Sequence, residues 1–278
     1  MIWFLKLRLL GPFGLLLMIG SSGFWSASAL GGETNLLPAV ALPDDTLYFS
    51  GRYVYQRNCL TCHGARGDGK GDMAAEMFPK PRPFTSGIFK YRSTPAGFLP
   101  TNEDLVRTVR EGISGTSMPA FSQLSEHELR AVTEYIKFFS ARWRKPTLYA
   151  LPLTPPKTPG WLADGRMAAD RIMRGKELFV ASCAPCHGNS GAGDGPSSAS
   201  LMDDWNHPCR PADLRTPNTR IGRTFTALHR VLLTGIDGTP MPSFAESLSE
   251  EQRWEVVAYI VSLRSESQAK TDAGTIPK

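Results

Sequence analysis

Two copies of one five-residue pattern constrain this chain more than any other feature of its sequence. The pattern Cys-x-x-Cys-His occupies residues 59–63 and again residues 183–187. Two thiols at this spacing can each bond one vinyl group of a porphyrin, and the following imidazole can then reach the iron. Zinc sites and redox pairs also use Cys-x-x-Cys, and they remain alternatives to haem. Two copies with histidine predict two covalently bound haem c groups, attached through Cys59, Cys62, Cys183 and Cys186.

Each copy is followed by a second pattern, Gly-x-x-Met-Pro, at nearly the same distance. Met118 lies 55 residues after His63, and Met241 lies 54 residues after His187. Methionine most often fills core space, but its thioether is also a soft, neutral ligand that raises the haem potential. Proline directly after the methionine prevents helix continuation and fixes the loop. The sequence therefore predicts His63 with Met118, and His187 with Met241, as the two pairs of iron ligands.

The regions around these motifs repeat as well. A glycine and an aromatic residue lie eight and four positions before the first cysteine of each motif, as Gly51 with Tyr55 and Gly175 with Phe179. Two apolar stripes at helical spacing follow, Leu105-Val109-Ile113 and Leu228-Leu232-Ile236. A capping box then opens a last helix in each copy, at Ser125 with Glu128 and at Ser249 with Gln252. This agreement predicts an internal duplication.

The termini and the connector are different in composition. Lys6 and Arg8 precede an uncharged run that ends in Ala27-Ser28-Ala29, which is typical of an export signal. An uncleaved membrane anchor is the alternative. Residues 146–160 contain five prolines and are predicted to form a stiff linker. The predicted order is a signal peptide (1–29), an extended lead-in (30–43), domain 1 (44–145), the linker (146–160), domain 2 (161–265) and a flexible tail (266–278).

Charge gives no support to nucleic-acid binding. The formal charge is +5, it falls to +3 when Lys6 and Arg8 are removed, and the propionates of two haems bring it close to zero. The balance is uneven, since residues 44–145 hold 15 basic and 11 acidic side chains whereas residues 161–265 hold 11 and 12. A partner that docks by charge is therefore expected at the first domain.

A few residues fall outside the common pattern. His207 and Cys209 lie in the loop Trp205-Asn206-His207-Pro208-Cys209-Arg210-Pro211, which we align with Pro79 to Pro83, and the first copy has neither residue. Two interpretations of these residues remain: a packed loop with a shielded thiol, or a functional site. Arg82 and Arg210 each precede a proline and are either propionate ligands or surface charges. The segment Gly193-Asp194-Gly195 is aligned with Gly67-Asp68-Gly69. His127 is expected at the surface, and His229 is expected to pack or lie at the surface.

On these motifs the chain resembles the two-domain, two-haem class I c-type cytochromes of the bacterial periplasm, over residues 46 to 264. The resemblance implies an all-α fold of two tandem domains, in which the first and last helices of each domain cross. A small residue and an aromatic of the first helix then meet an aromatic of the last, Tyr135 or Tyr259. It also implies a periplasmic location, with contact to the membrane only through an uncleaved N-terminus.

Two classes of function are compatible with this sequence. The first is electron transfer in a respiratory chain, as a carrier or as the electron-transfer subunit of an oxidoreductase. Its partners would be a membrane or molybdenum oxidoreductase, a terminal oxidase or small cytochromes. The second is a haem enzyme of the thiosulfate-oxidising or peroxidase-like kind, with Cys209 or His207 near the second haem. Equal ligand sets in both domains favour electron transfer, and we expect no catalytic residue.

Overall fold

The computed structural model describes residues 45–154, 156–216 and 224–274, and its regular secondary structure is helical. Within these ranges the β-type pairing is limited to an isolated bridge between Met202 and Pro208. The predicted all-α class is therefore confirmed. The predicted signal peptide and lead-in lie outside the described residues. Among the helices that are described, none combines the length and hydropathy needed to cross a bilayer.

Apart from one additional short helix at the start of the second half, the helices repeat in the same order in the two halves. The first half contains α1 (Asp45–Asn58), α2 (Leu60–His63), α3 (Asn102–Glu111) and α4 (Glu126–Lys137). The second half contains α5 (Gly160–Ala163), α6 (Gly165–Ser182), α7 (Ala184–His187), α8 (Phe225–Thr234) and α9 (Glu250–Gly274). Short 3₁₀ turns lie at Ala74–Glu76, Phe84–Ser86, Ala141–Arg144, Pro146–Leu148 and Ser198–Ser200. Because α9 runs to Gly274, most of the predicted tail is helical.

Side-chain caps define where the last helix of each half begins. The hydroxyl of Ser125 accepts a hydrogen bond from the Glu128 amide, and the Glu128 carboxylate accepts one from the Ser125 amide, which forms the predicted capping box at α4. Ser249 and Gln252 make the equivalent pair at the start of α9. Each box satisfies amide donors that the first helical turn leaves free. The predicted starts of both last helices are confirmed.

The first and last helices of each half cross at a glycine. A Cβ atom at Gly51 would lie 2.1 Å from the carbonyl oxygen of Ala131 on α4, and one at Gly175 would lie 2.0 Å from that of Glu255 on α9. The aromatic pairs beside these crossings have ring centroids 5.3 Å apart for Tyr55 with Tyr135 and 5.2 Å apart for Phe179 with Tyr259. Both predicted crossings are confirmed.

Each half has its own apolar core. The first gathers residues of α1, α3 and α4 with aromatic side chains from the loops, and the second gathers residues of α6, α8 and α9. Cys59 packs against the first core and Cys183 is buried in the second. The first cysteine of each haem motif is therefore anchored to the apolar core of its half.

Part of the Pro-rich segment, for which the sequence predicts a stiff linker, packs against the first half. The amide of Leu99 donates to the carbonyl of Leu148 at 2.9 Å, and the amide of Leu153 donates to that of Ser93 at 2.8 Å. Leu148 and Tyr149 pack against the first core, and the Tyr149 hydroxyl donates to the carbonyl of Trp143. The segment supplies these contacts because two apolar side chains lie between its prolines. At least residues 148–153 therefore line the first half.

Candidate haem sites

The Cys-x-x-Cys-His motif forms a single helical turn directly after the long first helix. In the first half, the Cys62 and His63 amides donate to the carbonyl of Cys59 at 3.2 and 2.8 Å. In the second half, Cys186 and His187 donate to Cys183 at the same two distances. This turn holds both thiols and the imidazole of a motif in one local unit, which is the arrangement that covalent attachment to a single ligand requires.

The histidine of each motif is oriented by a backbone carbonyl. Nδ1 of His63 lies 3.0 Å from the Arg82 carbonyl oxygen, and Nδ1 of His187 lies 3.2 Å from that of Ala212. Because a carbonyl oxygen can only accept, Nδ1 carries the proton in both rings. Burial lowers the pKa of both histidines, outweighing these hydrogen bonds, so the neutral form with a free Nε2 lone pair is favoured. This tautomer suits a histidine that binds iron through Nε2.

A cavity of about 270 Å³ brings the predicted residues of the first site together. Its lining includes the four predicted site residues, Cys59, Cys62, His63 and Met118. The rest of the wall is largely apolar and is contributed by α3, α4 and the loops. A mostly apolar pocket with a few polar groups is typical of a cofactor site.

Arg82 also lines this cavity. Its Nη1 atom is buried and makes no hydrogen bond to any described residue. A buried cationic donor without a partner suits a carboxylate ligand, and haem carries two propionates. Together with the imidazole and the thioether that share the cavity, this donor set fits haem c.

The two methionine loops have the same hydrogen bonds. The amide of Ile113 donates to the Met118 carbonyl at 3.0 Å, and the amide of Ile236 donates to that of Met241 at 3.1 Å. The hydroxyls of Thr116 and Thr239 donate to the Ile113 and Ile236 carbonyls at 2.8 and 2.7 Å, and each accepts the amide of its methionine. The repeated Gly-Thr-x-Met-Pro sequence thus specifies one loop shape twice. Met241 packs against the core that contains Cys183.

The loops differ in what surrounds them. A Cβ atom at Gly115 would meet no atom within 4 Å, and Ser114 and Gly115 are exposed. A Cβ atom at the equivalent Gly238 would lie 2.6 Å both from Nη1 of Arg82 and from the ring of Trp205. The first methionine loop is therefore open to solvent at this point, whereas the second is covered.

Glycines shape the loop after each motif, and their hydrogen bonds correct one alignment. The amides of Gly69 and Gly193 donate to the carbonyls of His63 and His187, and those of Gly71 and Gly195 donate to the carbonyls of Cys62 and Cys186. Gly193-Asp194-Gly195 therefore corresponds to residues 69–71 and not, as predicted, to residues 67–69. Glycine at every second position made both alignments possible from sequence alone.

The predicted equivalence of Arg82 and Arg210 is also wrong by two residues. The carbonyl that orients His187 belongs to Ala212, so Ala212 is the counterpart of Arg82. Arg210 is exposed, whereas Arg82 stacks on the ring of Trp205 with its guanidinium carbon 4.0 Å from the ring centroid. The distance between the two copies is only one residue shorter at the methionines than at the cysteines, so it did not reveal this two-residue shift.

The remaining candidate residues do not join the first site. His207 pairs with Asp203 at 3.5 Å, and neither His207 nor Cys209 lines the cavity. His127 is exposed, as predicted, and His229 is buried against Trp254 with ring centroids 4.3 Å apart. No disulfide joins any of the cysteines, and the described residues contain no group of three or more His, Cys, Asp or Glu side chains that could hold a metal ion.

The first thiol of each motif is largely buried. Burial, with a smaller contribution from the neighbouring thiol, raises the pKa of Cys59 to about 12 and that of Cys183 to about 11.

The model of the family described as "Cytochrome C oxidase, cbb3-type, subunit III" matches residues 48–136 and 170–260. The chain belongs to this family. Both matched segments contain one Cys-x-x-Cys-His motif and one methionine loop. The protein is thus a di-haem c-type cytochrome that transfers electrons, with two tandem cytochrome c domains and two covalently bound haem c groups.

Individual relatives include subunits of larger complexes. The chain is 24% identical to the CcoP subunit of a cbb3-type cytochrome c oxidase from Azospirillum sp. (strain B510), over 85% of this chain and 73% of that protein. It is 25% identical to a cytochrome bc1 complex cytochrome c subunit from Mycobacterium leprae (strain TN), over 92% and 75%. A solved chain of the reducing HAO-like protein complex of Kuenenia stuttgartiensis is 34% identical, with a TM-score of 0.69 over 82% of this chain and 99% of that chain.

Sequence reasoning missed the residues that join the two domains. Arg92 of the first domain, with none of its side-chain surface exposed, pairs with Asp237 in the second methionine loop. Arg92 lies in a loop without any motif. The sequence did contain one indication of this contact, because Asp237 in the second methionine loop aligns with Ser114 in the first.

Proposed function

We propose that this cytochrome is the electron-transfer subunit of a periplasmic oxidoreductase complex and is not itself the enzyme. One observation carries the assignment of its sites. His63, whose Nδ1 proton is committed to the Arg82 carbonyl, lines one cavity together with both thiols of its motif and Met118. The covalent attachment residues would be Cys59 and Cys62 in domain 1 (44–145), and Cys183 and Cys186 in domain 2 (161–265). The iron ligands would be His63 with Met118 and His187 with Met241.

Bound haem c supplies a one-electron couple between ferrous and ferric iron. The chain's own residues set the conditions for that couple. The carbonyls of Arg82 and Ala212 hold the histidines in the tautomer with a free Nε2. Met118 and Met241, as thioether ligands in addition to the histidines, would favour the ferrous state and would leave no position for a substrate. Apolar side chains such as Leu105, Val109 and Ile136 line the first cavity and limit access of water.

The relatives support the choice of partner and compartment. Two of them are named as subunits of a cbb3-type oxidase and of a bc1 complex, and a third belongs to a HAO-like complex. An exported protein of this kind would exchange electrons with a membrane oxidoreductase, a terminal oxidase or small cytochromes. The basic residues before the uncharged N-terminal run support export.

Near-infrared absorption of the oxidised holoprotein tests the ligand assignment. The Met-to-iron charge-transfer band should correspond to two haems in the wild type. Met118→Ala and Met241→Ala should each remove half of the band and open one iron to carbon monoxide. Met73→Ala, which changes a side chain with 51% of its surface exposed, and Cys209→Ala should leave both bands intact. A wild-type protein with only one Met-ligated haem would contradict the proposal and favour the enzyme alternative at Cys209 or His207.

A further inference from the structure

Two arginines of the first domain hold the loop that precedes Met241. The Arg92 side chain donates from Nε to Asp237 at 2.8 Å, from Nη2 to Asp237 and, at 2.9 Å, to the Thr234 carbonyl, and from Nη1 to the Thr94 carbonyl at 2.8 Å. All of these partners except Thr94 lie in the second domain's methionine loop or at the end of α8. Arg92 thus fixes this loop against the first domain through charge-assisted hydrogen bonds.

Arg82 contacts the same loop one residue further along. Its guanidinium stacks on Trp205 of the second domain, and its Nη1 atom lies 2.6 Å from where a Cβ atom of Gly238 would be. The amide of Asp204 donates to the Gly238 carbonyl at 3.3 Å, so the Trp205 loop and the methionine loop are also bonded to each other. Because Gly238 has no Cβ atom and adopts a φ of 74°, the Arg82 guanidinium, the Trp205 ring and the Asp204 amide can all approach it closely.

The backbone of Arg82 serves the other site. Its carbonyl accepts the hydrogen bond that orients His63. We infer that Arg82 is a positioning residue shared by both haem sites, because its carbonyl orients His63 and its guanidinium supports the loop that carries Met241. This inference rests on the proposed iron ligands. The equivalent Gly115 of the first domain is not covered in this way, since a Cβ atom there would meet no atom within 4 Å.

The charge of Arg82 should act on both irons. The guanidinium is largely buried, which lowers the pKa of Arg82 to about 10, a value at which it stays charged at neutral pH. Asp203, Asp204, Tyr91 and Cys209 are the titratable groups that interact with it. A positive charge in a poorly solvated position between two haem sites stabilises the ferrous state of both.

Redox titration of the holoprotein tests the inference, with covalent haem content and the two methionine bands checked first. Arg82→Gln should move both one-electron midpoint potentials to lower values. Arg82→Lys keeps the charge and should leave both close to the wild-type values. The control is Arg210→Gln, which removes an exposed charge from the loop that contains Trp205 and should move neither. If the wild type itself lacks two methionine bands, the ligand assignment has failed rather than the role of Arg82.

Two results would overturn the inference. One is a shift at only one haem, or at neither, in Arg82→Gln. The other is an equal shift in Arg82→Lys, which would mean that packing alone is responsible. If Arg82→Gln yields no folded protein, Trp205→Leu is the second test. Removal of the ring exposes the guanidinium to water, so both potentials should fall, and unchanged potentials in this variant would contradict the shared role.

Discussion

The guanidinium of Arg92 is fully buried and donates two hydrogen bonds to the carboxylate of Asp237, 145 residues further along the chain. The contact is the main ionic connection between the two cytochrome domains in the part of the chain that the structure describes. Because the Arg92 charge is removed from water, it depends on Asp237. The free-energy cost of that desolvation is compensated only while the ion pair is intact.

Asp237→Ala should therefore be strongly destabilising. The variant leaves Arg92 buried with only carbonyl acceptors, and loss of one partner of a buried pair typically costs about 3–5 kcal/mol. The free energy of unfolding, measured by denaturant titration of the holoprotein, should fall by an amount of this order. Glu246→Gln, an exposed change in the same region of the second domain, is the control. A double variant with Arg92→Met and Asp237→Leu should recover most of the loss, and an unaffected Asp237→Ala would show that the domains do not depend on this pair.

The helix crossings give a second prediction. Gly175→Ala places a Cβ atom 2.0 Å from the Glu255 carbonyl oxygen, so α6 and α9 must separate. Overpacking of this kind typically costs about 1–3 kcal/mol and sometimes more. Thermal unfolding of the holoprotein should show the loss for Gly175→Ala, whereas Gly160→Ala, which meets no atom within 4 Å, should be neutral or slightly stabilising. Equal stability of the two variants would mean that the crossing is looser than described.

His229 makes the second domain sensitive to acid. Burial, assisted by the nearby charge of Arg253, lowers the pKa of His229 to about 4. Its unfolded pKa is about 6.5, so the unfolded state takes up a proton first, and stability should decline as pH falls from about 6.5 towards 4. The difference between the two pKa values corresponds to roughly 3 kcal/mol.

His229→Phe should flatten this pH dependence, since a ring of similar size then stacks on Trp254 without a titrating group. The matched control is His127→Gln, because His127 is exposed at the start of α4 and should leave the pH dependence unchanged. Denaturant titrations at pH 7 and pH 5 compare the three proteins. A wild-type protein that is equally stable at both values would contradict the prediction.

The common features of the two domains could be predicted from the sequence because each appears twice. The resemblance to class I cytochromes c implies a helix crossing, and Gly175 and Phe179 could be placed there because Gly51 and Tyr55 precede the other motif at the same distances. A residue type that recurs at the same position in both copies indicates a structural requirement and not chance. The capping boxes and the methionine loops were predictable for the same reason.

The contacts between the domains could not be predicted, because they depend on positions where the copies differ. Asp237 replaces Ser114, and Arg82 is replaced by Ala212. A difference between repeats does not say which surface it serves. Arg92 had no distinguishing pattern at all, and its partner lies far away in sequence. The misalignment at Arg210 has a related cause, since the loop there differs in length, whereas the one at Gly193 arose because glycine recurs at every second position in both copies.

The open loop at Gly115 has a consequence for how such a molecule is assembled. The first domain contacts the methionine loop of the second at Gly238, whereas a Cβ atom at the equivalent Gly115 of the first meets no described atom within 4 Å. Contacts of this head-to-tail kind join unlike surfaces, so they do not close on themselves as a twofold interface does. The molecule therefore has polarity. Its two haem domains are built alike but have different surroundings. The methionine loop of the second contacts the first domain at Gly238, whereas the equivalent Gly115 of the first faces open space.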